Sequence, residues 1–307
     1  MFKFLVIVLD NLSVSYCHYN NNYNEACLID IETLKGGIEF AMKHNLAIHY
    51  LFPKTKLPQE YIDVINSYPS IKIADVSNIE QADVLVIDEL EDFKIIKPKL
   101  SNVILRISKQ RLFNNIDNVS QLVNSGIRVN LILTDVENFK DTDIAKYEEC
   151  LNVLIGRCPS IKSVDLNVLT DRLKLSEMNN CNAGVESIAL APNEKFYVCP
   201  DFYYSDASNS VGSLKEGINI PNANLFQFNY AAICKHCDAY HCKRCVWLNK
   251  KMTLEVNVPS REQCVIAHVE RNASRCILHK NKDAFPNFEI KEIDYLDPFD
   301  NKDNWNE

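Results

Sequence analysis

The chain has 307 residues, 41 of them acidic and 33 basic, for a formal charge of −8, and 47% are apolar. The apolar share supports a real core, and a negative balance with no visible basic patch excludes an electrostatic grip on nucleic acid or an anionic membrane as the main activity. Only seven residues are glycine, and none falls in a G-x-G-x-x-G or G-x-x-x-x-G-K-[ST] pattern, so dinucleotide and P-loop fingerprints are excluded as well. The excess lies in cysteine, with 12 residues.

Phe2 to Leu9 is apolar apart from Lys3, closes at Asp10, and lacks both a basic leader and a small-residue cleavage site. It reads as a buried first strand rather than a signal peptide. No stretch approaches the ~20 apolar residues that span a bilayer. A cytoplasmic protein with reduced thiols is therefore expected, in which clustered cysteines hold metal rather than form disulfides.

From residue 3 to 167 short β-branched runs alternate with amphipathic segments, which predicts βα units around a mainly parallel sheet. The strand candidates are Lys3 to Leu9, Leu46 to Leu51, Ala82 to Ile87, Val103 to Ile107, Ile127 to Leu133 and Ile161 to Leu166, with a weaker one at Ile71 to Ile73. Six repeats fit a partial (β/α)6 barrel. Asp30 is placed to cap a helix with Leu34, Ile38, Ala41 and Met42 on its inner face. A second helix from Asn118 turns Val119, Leu122 and Val123 inward and stops before Gly126; a third, Thr142 to Ile155, buries Ile144, Tyr147, Leu151 and Leu154 before Gly156.

Past residue 170 helical periodicity gives way to turns, aromatics and most of the cysteines. This predicts an α/β barrel domain over 1–175, a cysteine-rich α+β module over 176–280, and an acidic tail over 281–307.

Seven cysteines fall in this module: Cys181, Cys199, then Cys234-x2-Cys237-x4-Cys242-x2-Cys245, then Cys264. Four thiols within 12 residues, among Lys235, His236, Asp238, His241, Lys243 and Arg244, make a polar knuckle whose natural use is to hold metal. A tetrahedral zinc site takes four thiolates, as does an iron–sulfur cluster. Seven thiols exceed one structural zinc and approach two four-ligand clusters, although zinc stays open. Cys150, Cys158 and Cys276 read as ordinary thiols, and Cys17 beside His18 makes a poor nucleophile and base, since adjacent side chains rarely converge. Phe196-Tyr197 and Phe202-Tyr203-Tyr204 read as an apolar cover around Cys199.

The order of these residues resembles the SPASM domain, the auxiliary iron–sulfur module of many radical SAM peptide-modifying enzymes. Its pattern is a cysteine, nine to fifteen residues, a glycine, four residues and a cysteine, then C-x2-C-x5-C-x3-C and a last cysteine. Here Cys181 is followed by 12 residues, Glu194, four residues and Cys199, then the knuckle and Cys264. Glu194 stands where the family has glycine, so the turn Pro192-Asn193-Glu194-Lys195 is expected to place Asn193 in the left-handed region. The x5 and x3 gaps are each one residue shorter. The resemblance implies two 4Fe-4S clusters, one held by Cys234, Cys237, Cys242 and Cys264, the other by Cys181, Cys199 and Cys245 with one ligand not supplied by cysteine. His236 and His241 are the candidates for that place.

A radical SAM barrel carries C-x3-C-x2-C after its first strand. In this chain Cys17 is followed at those spacings by Asn21 and Asn24, and Leu51-Phe52-Pro53-Lys54 replaces the family's glycine-rich turn. Amide oxygens are hard, weak ligands for iron in a sulfide cluster, so binding of S-adenosylmethionine is not expected. The loop Leu12-Ser13-Val14-Ser15-Tyr16-Cys17-His18-Tyr19, the helix after it and the cysteine array together are similar to the CXXX repeat peptide maturase group. That similarity implies a radical SAM type barrel without its own cluster, a role in maturing a ribosomally made cysteine-repeat precursor peptide, and a true radical SAM enzyme as partner.

Overall fold

The computed structural model describes residues 2–88, 100–157 and 165–280. In chain order its strands are β1 (Phe4–Val8), β2 (Ala47–Leu51), β3 (Ser70–Ala74), β4 (Val84–Ile87), β5 (Asn102–Ile107), β6 (Arg128–Leu133), β7 (Ser187–Leu190), β8 (Phe196–Tyr197), β9 (Gly212–Ser213) and β10 (Gly217–Ile218). Its helices are α1 (Ile31–His44), α2 (Gln59–Ile65), α3 (Lys109–Asn114), α4 (Ile116–Val123), α5 (Asp141–Arg157), α6 (Arg172–Lys174), α7 (Pro200–Ser205), α8 (Val246–Thr253) and α9 (Arg261–Lys280). The protein is α/β with a mostly parallel sheet.

The chain groups into two compact units, each drawn from two stretches. Unit 1 takes the chain up to Arg106 together with Asn182–Gln227, and unit 2 takes Ile107–Cys181 and the chain from Phe228 onward. A single cut near residue 175 is therefore not how the residues group, and the stretch carrying Cys199 falls in a different unit from the knuckle. The cause is β7. It pairs in parallel with β1, Phe4 to Ser187 through Ile7 to Leu190, and draws the following hairpin into unit 1.

Unit 1 orders its strands β5-β4-β3-β2-β1-β7-β8, parallel except for the β7–β8 hairpin. Central β1 is covered on both faces, with Leu5, Ile7 and Val8 fully buried, as a parallel strand requires. Helix α1 starts where expected: the Asp30 carboxylate accepts from the N–H of Glu32 and Thr33 at 2.9 and 3.3 Å. Leu34, Ile38 and Ala41 are buried, but Met42 is 59% exposed, so the apolar stripe is narrower than its spacing suggests. Gly37 allows the close approach of α1 to the sheet, since a Cβ there would lie 2.6 Å from Leu190 Cδ2. The turn between β7 and β8 corrects one expectation: the left-handed residue is Glu194 itself, at φ 64°, not Asn193. Asn193 instead donates from Nδ2 to the Tyr197 hydroxyl at 2.8 Å and accepts from Lys195 N–H.

Unit 2 packs α9 against α5 and against a π turn at Asn167–Asp171. The buried Ser274 hydroxyl donates to Leu169 O at 2.7 Å, and Tyr147, Leu151 and Leu154 of α5 face inward. Gly156 lies inside α5 rather than ending it. Of the expected strand at Ile161 to Leu166, residues 161–164 lie outside the described residues, and the rest forms a parallel bridge from Leu166 to Val129 of β6. Cys158 and the tail 281–307 lie outside them too.

Candidate metal centre

The knuckle is built from two successive tight turns in unit 2. Cys237 N–H donates to Cys234 O at 3.1 Å, and Cys242 N–H donates to Ala239 O at 2.9 Å. Each turn then aims a backbone donor back at a sulfur two residues earlier: Ala239 N–H at Cys237 Sγ, 3.4 Å, and Arg244 N–H at Cys242 Sγ. Donors fixed on a sulfur favour its anionic form and are a recognised control on cluster potential. Arg244 reaches this arrangement in a left-handed conformation, φ 46°.

The last sulfur comes from α9. Ser260 and Gln263 form a reciprocal cap, with Ser260 N–H on Gln263 Oε1 at 3.0 Å and Gln263 N–H on Ser260 Oγ at 3.3 Å. That start sets the helical phase, so Cys264, Ala267, His268 and Arg271 share one face. Cys234, Cys237, Cys242 and Cys264 line one cavity, together with Met178, Ile233, Ala239, Arg244 and His268. These are the four cysteines that the SPASM resemblance assigns to one cluster.

Charge around the cavity is arranged rather than scattered. Asp238, fully buried, accepts from Arg271 at 2.7 Å, Arg275 at 3.0 Å and Arg172 at 3.2 Å, which ties the knuckle to α9 and α6. The Arg172 guanidinium also lies 4.9 Å from the Tyr240 ring centroid. Next along, Glu270 accepts from the Tyr147 hydroxyl at 2.7 Å and pairs with His241 Nε2 at 3.0 Å. Burial pushes the Cys234 thiol up to about 11 and the Cys242 thiol up to about 12, and raises Cys237 as well. Without metal these thiols stay protonated and inert; a metal that binds them must displace their protons. Burial also pulls His268 down to about 4, so its ring is neutral.

The remaining predicted ligands lie elsewhere. Cys181 belongs to unit 2, where its N–H donates to Lys243 O at 2.7 Å. Cys245 is the N-cap residue of α8. Cys199 belongs to unit 1 as the N-cap residue of α7, hydrogen-bonded to the buried Asp201 carboxyl. His236 is exposed and His241 is engaged with Glu270; neither lines the cavity. His268 does, with Nε2 3.3 Å from Cys237 Sγ. Its position four residues after Cys264 was the available signal. The 11 described cysteines are thiols, none in a disulfide. Among the described residues no group of three or more His, Cys, Asp or Glu side chains converges as one metal ion requires.

The loop after β1, in unit 1, is committed to other bonds. The Asn21 amide donates to Asn11 O and Ser13 O and accepts from Tyr23 N–H, while Asn24 is exposed. The buried Arg106 donates to Cys17 O at 2.8 Å, to Tyr19 O and to Asn20 Oδ1, and pairs with Asp88 at 2.6 Å. Tyr19 and Tyr23 stack on Tyr204 and Tyr203 of α7. The aromatic run near Cys199 thus closes over this loop.

No family model and no curated protein matches the chain. Among the described residues no helix is long and apolar enough to cross a membrane.

Proposed function

We propose that this chain is an iron–sulfur protein of the SPASM type that serves the maturation of a ribosomally made peptide. In this proposal Cys234, Cys237, Cys242 and Cys264 hold one 4Fe-4S cluster, and Cys181 and Cys245 of the same unit are ligands of a second. The observation that carries it is the shared cavity, where four cysteines separated by up to 30 positions in sequence line one space that also receives two sulfur-directed N–H groups and the Arg244 side chain. A single zinc ion needs thiolates gathered at about 2.3 Å from one point. The array's seven thiols exceed one such site and approach the number that two four-ligand clusters take, which favours iron–sulfur over zinc. The Arg244 guanidinium, which lines the cavity, favours an anionic occupant such as a thiolate-ligated cluster.

When bound, such clusters supply one-electron transfer. The protein's own residues supply the ligands, the buried setting and the surrounding charge. Unit 1 is proposed as a radical SAM type barrel that has given up its own cluster, because Asn21 is spent on loop hydrogen bonds where a thiolate would be needed. The chemical step then belongs to a partner radical SAM enzyme, and this chain presents the cysteine-repeat precursor or relays electrons. A cytoplasmic setting, with its reduced thiols, goes with this role. Co-purification of the full chain with a candidate precursor and partner enzyme, followed by anaerobic iron and sulfide assay, tests the proposal. Absence of iron and sulfide, with zinc in their place, would leave only a zinc-stabilised binding module.

A further inference from the structure

The cluster assignment spends four cysteines of the cavity and leaves its imidazole unused. His268 lines that cavity beside Cys234, Cys237, Cys242 and Cys264, and it is only 4% exposed. It lies one helical turn after Cys264 on α9, whose capped start at Ser260 and Gln263 fixes the phase of both residues. Three residues further on, Arg271 donates to the buried Asp238 at 2.7 Å, and Asp238 directly follows Cys237 in sequence. This ion pair holds the helix and the knuckle together beside the two side chains concerned. His268 Nε2 then stands 3.3 Å from Cys237 Sγ. The same sulfur also faces Ala239 N–H at 3.4 Å, so a side-chain nitrogen and a backbone nitrogen both lie within hydrogen-bond reach of it.

We propose that His268 is a positioning residue of the cavity cluster, whose Nε2–H donates to the Cys237 thiolate and raises the reduction potential of the cluster. The inference rests on the iron–sulfur reading above and deepens it by naming a side chain that acts through a ligand. As a thiol, Cys237 can give or accept a hydrogen bond, so either tautomer of the ring suits it. Metal ligation removes the thiol proton. A ligating sulfur is an acceptor only, and the ring must then carry its hydrogen on Nε2. The hydrogen bond becomes charge-assisted, and is stronger in the ligated state than in the metal-free one. An added electron puts more negative charge on the sulfurs, so a donor fixed at one of them favours the reduced cluster over the oxidised one. Ala239 supplies the same kind of donor from the backbone, which no side-chain substitution removes. His268 is the donor that mutation can address.

The full chain is loaded with iron and sulfide under anaerobic conditions, and the redox signal of the cavity cluster is assigned as the one missing from Cys237→Ala. His268→Phe keeps a ring without a donor, and His268→Gln returns an amide N–H at a similar reach. Should His268→Phe fail to fold, His268→Ala is the second donor-free variant. The expected result is a lower midpoint potential in the donor-free variant, restored towards wild type in His268→Gln. Pulsed EPR of the reduced cluster is expected to show an exchangeable proton coupling that the donor-free variant loses. A purely structural histidine would move neither readout. Full iron content with unchanged potential and coupling therefore overturns the role of His268 and leaves the cluster assignment intact. A lowered potential that His268→Gln does not restore overturns the hydrogen bond as its cause. A wild-type chain without iron overturns the assignment itself, and the role of His268 with it.

Discussion

His268 Nε2 lies 3.3 Å from Cys237 Sγ, on the face of α9 that also supplies Cys264. A ring nitrogen at that distance is an outer partner of the sulfur, and loss of such partners typically costs metal affinity about 10-fold or more. His268→Ala is expected to load with iron but to surrender it to a chelator about 10-fold faster than wild type. Cys237→Ala removes a ligand, and should lose one cluster outright and lower the unfolding midpoint of unit 2, because metal binding and folding are coupled there. Chelator-challenge kinetics and urea titration check both.

Asp238 pairs with Arg172, Arg271 and Arg275, and it is fully buried. Replacing it with asparagine removes the charge that the three guanidiniums were folded around. Breaking a buried pair by deleting one partner costs about 3–5 kcal/mol. Asp238→Asn should therefore lower stability by that order in urea unfolding of the metal-free chain, a larger loss than any single exposed ion pair would give.

Glu194 adopts a left-handed backbone, φ 64°, in the turn between β7 and β8. A residue with a Cβ pays about 1–2 kcal/mol there, part of which glycine returns as unfolded-chain entropy. Glu194→Gly is expected to raise the stability of unit 1 by about 1 kcal/mol, and Glu194→Val to lower it. Thermal unfolding followed by circular dichroism distinguishes the two.

The front loop yields a negative prediction. Asn21 holds the carbonyls of Asn11 and Ser13, and Arg106 holds those of Cys17 and Tyr19. The double change Asn21→Cys and Asn24→Cys writes a three-cysteine motif back into the sequence but discards those Asn21 hydrogen bonds. It should destabilise unit 1, bind no additional iron and form no 5′-deoxyadenosine with reductant. Cys17→Ala should leave iron content unchanged; loss of about half the iron would show that the loop is a cluster site after all.

Much of this was legible in residue order. Leu5, Ile7 and Val8 announced a buried strand and Asp30 the start of α1, whereas the grouping of Cys234, Cys237, Cys242 and Cys264, which line one cavity, came from the SPASM resemblance and not from spacing alone. What stayed hidden depended on long-range pairing. Nothing local in Ser187–Leu190 says that it docks on β1, yet that pairing moves Cys199 out of the unit that holds the knuckle. The charges on Asp238 come from positions 66, 33 and 37 residues away, and no helical or strand period links them. Arg244 looked like one more polar residue of a loop; only its burial beside a cavity lined by four cysteines sets it apart.

The most direct test is an anaerobic count of iron, acid-labile sulfide and zinc on the full chain produced in an iron-replete host. Iron and sulfide in matching amounts, reduced in Cys237→Ala and unchanged in Cys17→Ala, are what the thiol-lined cavity predicts. Stoichiometric zinc without iron or sulfide would contradict it.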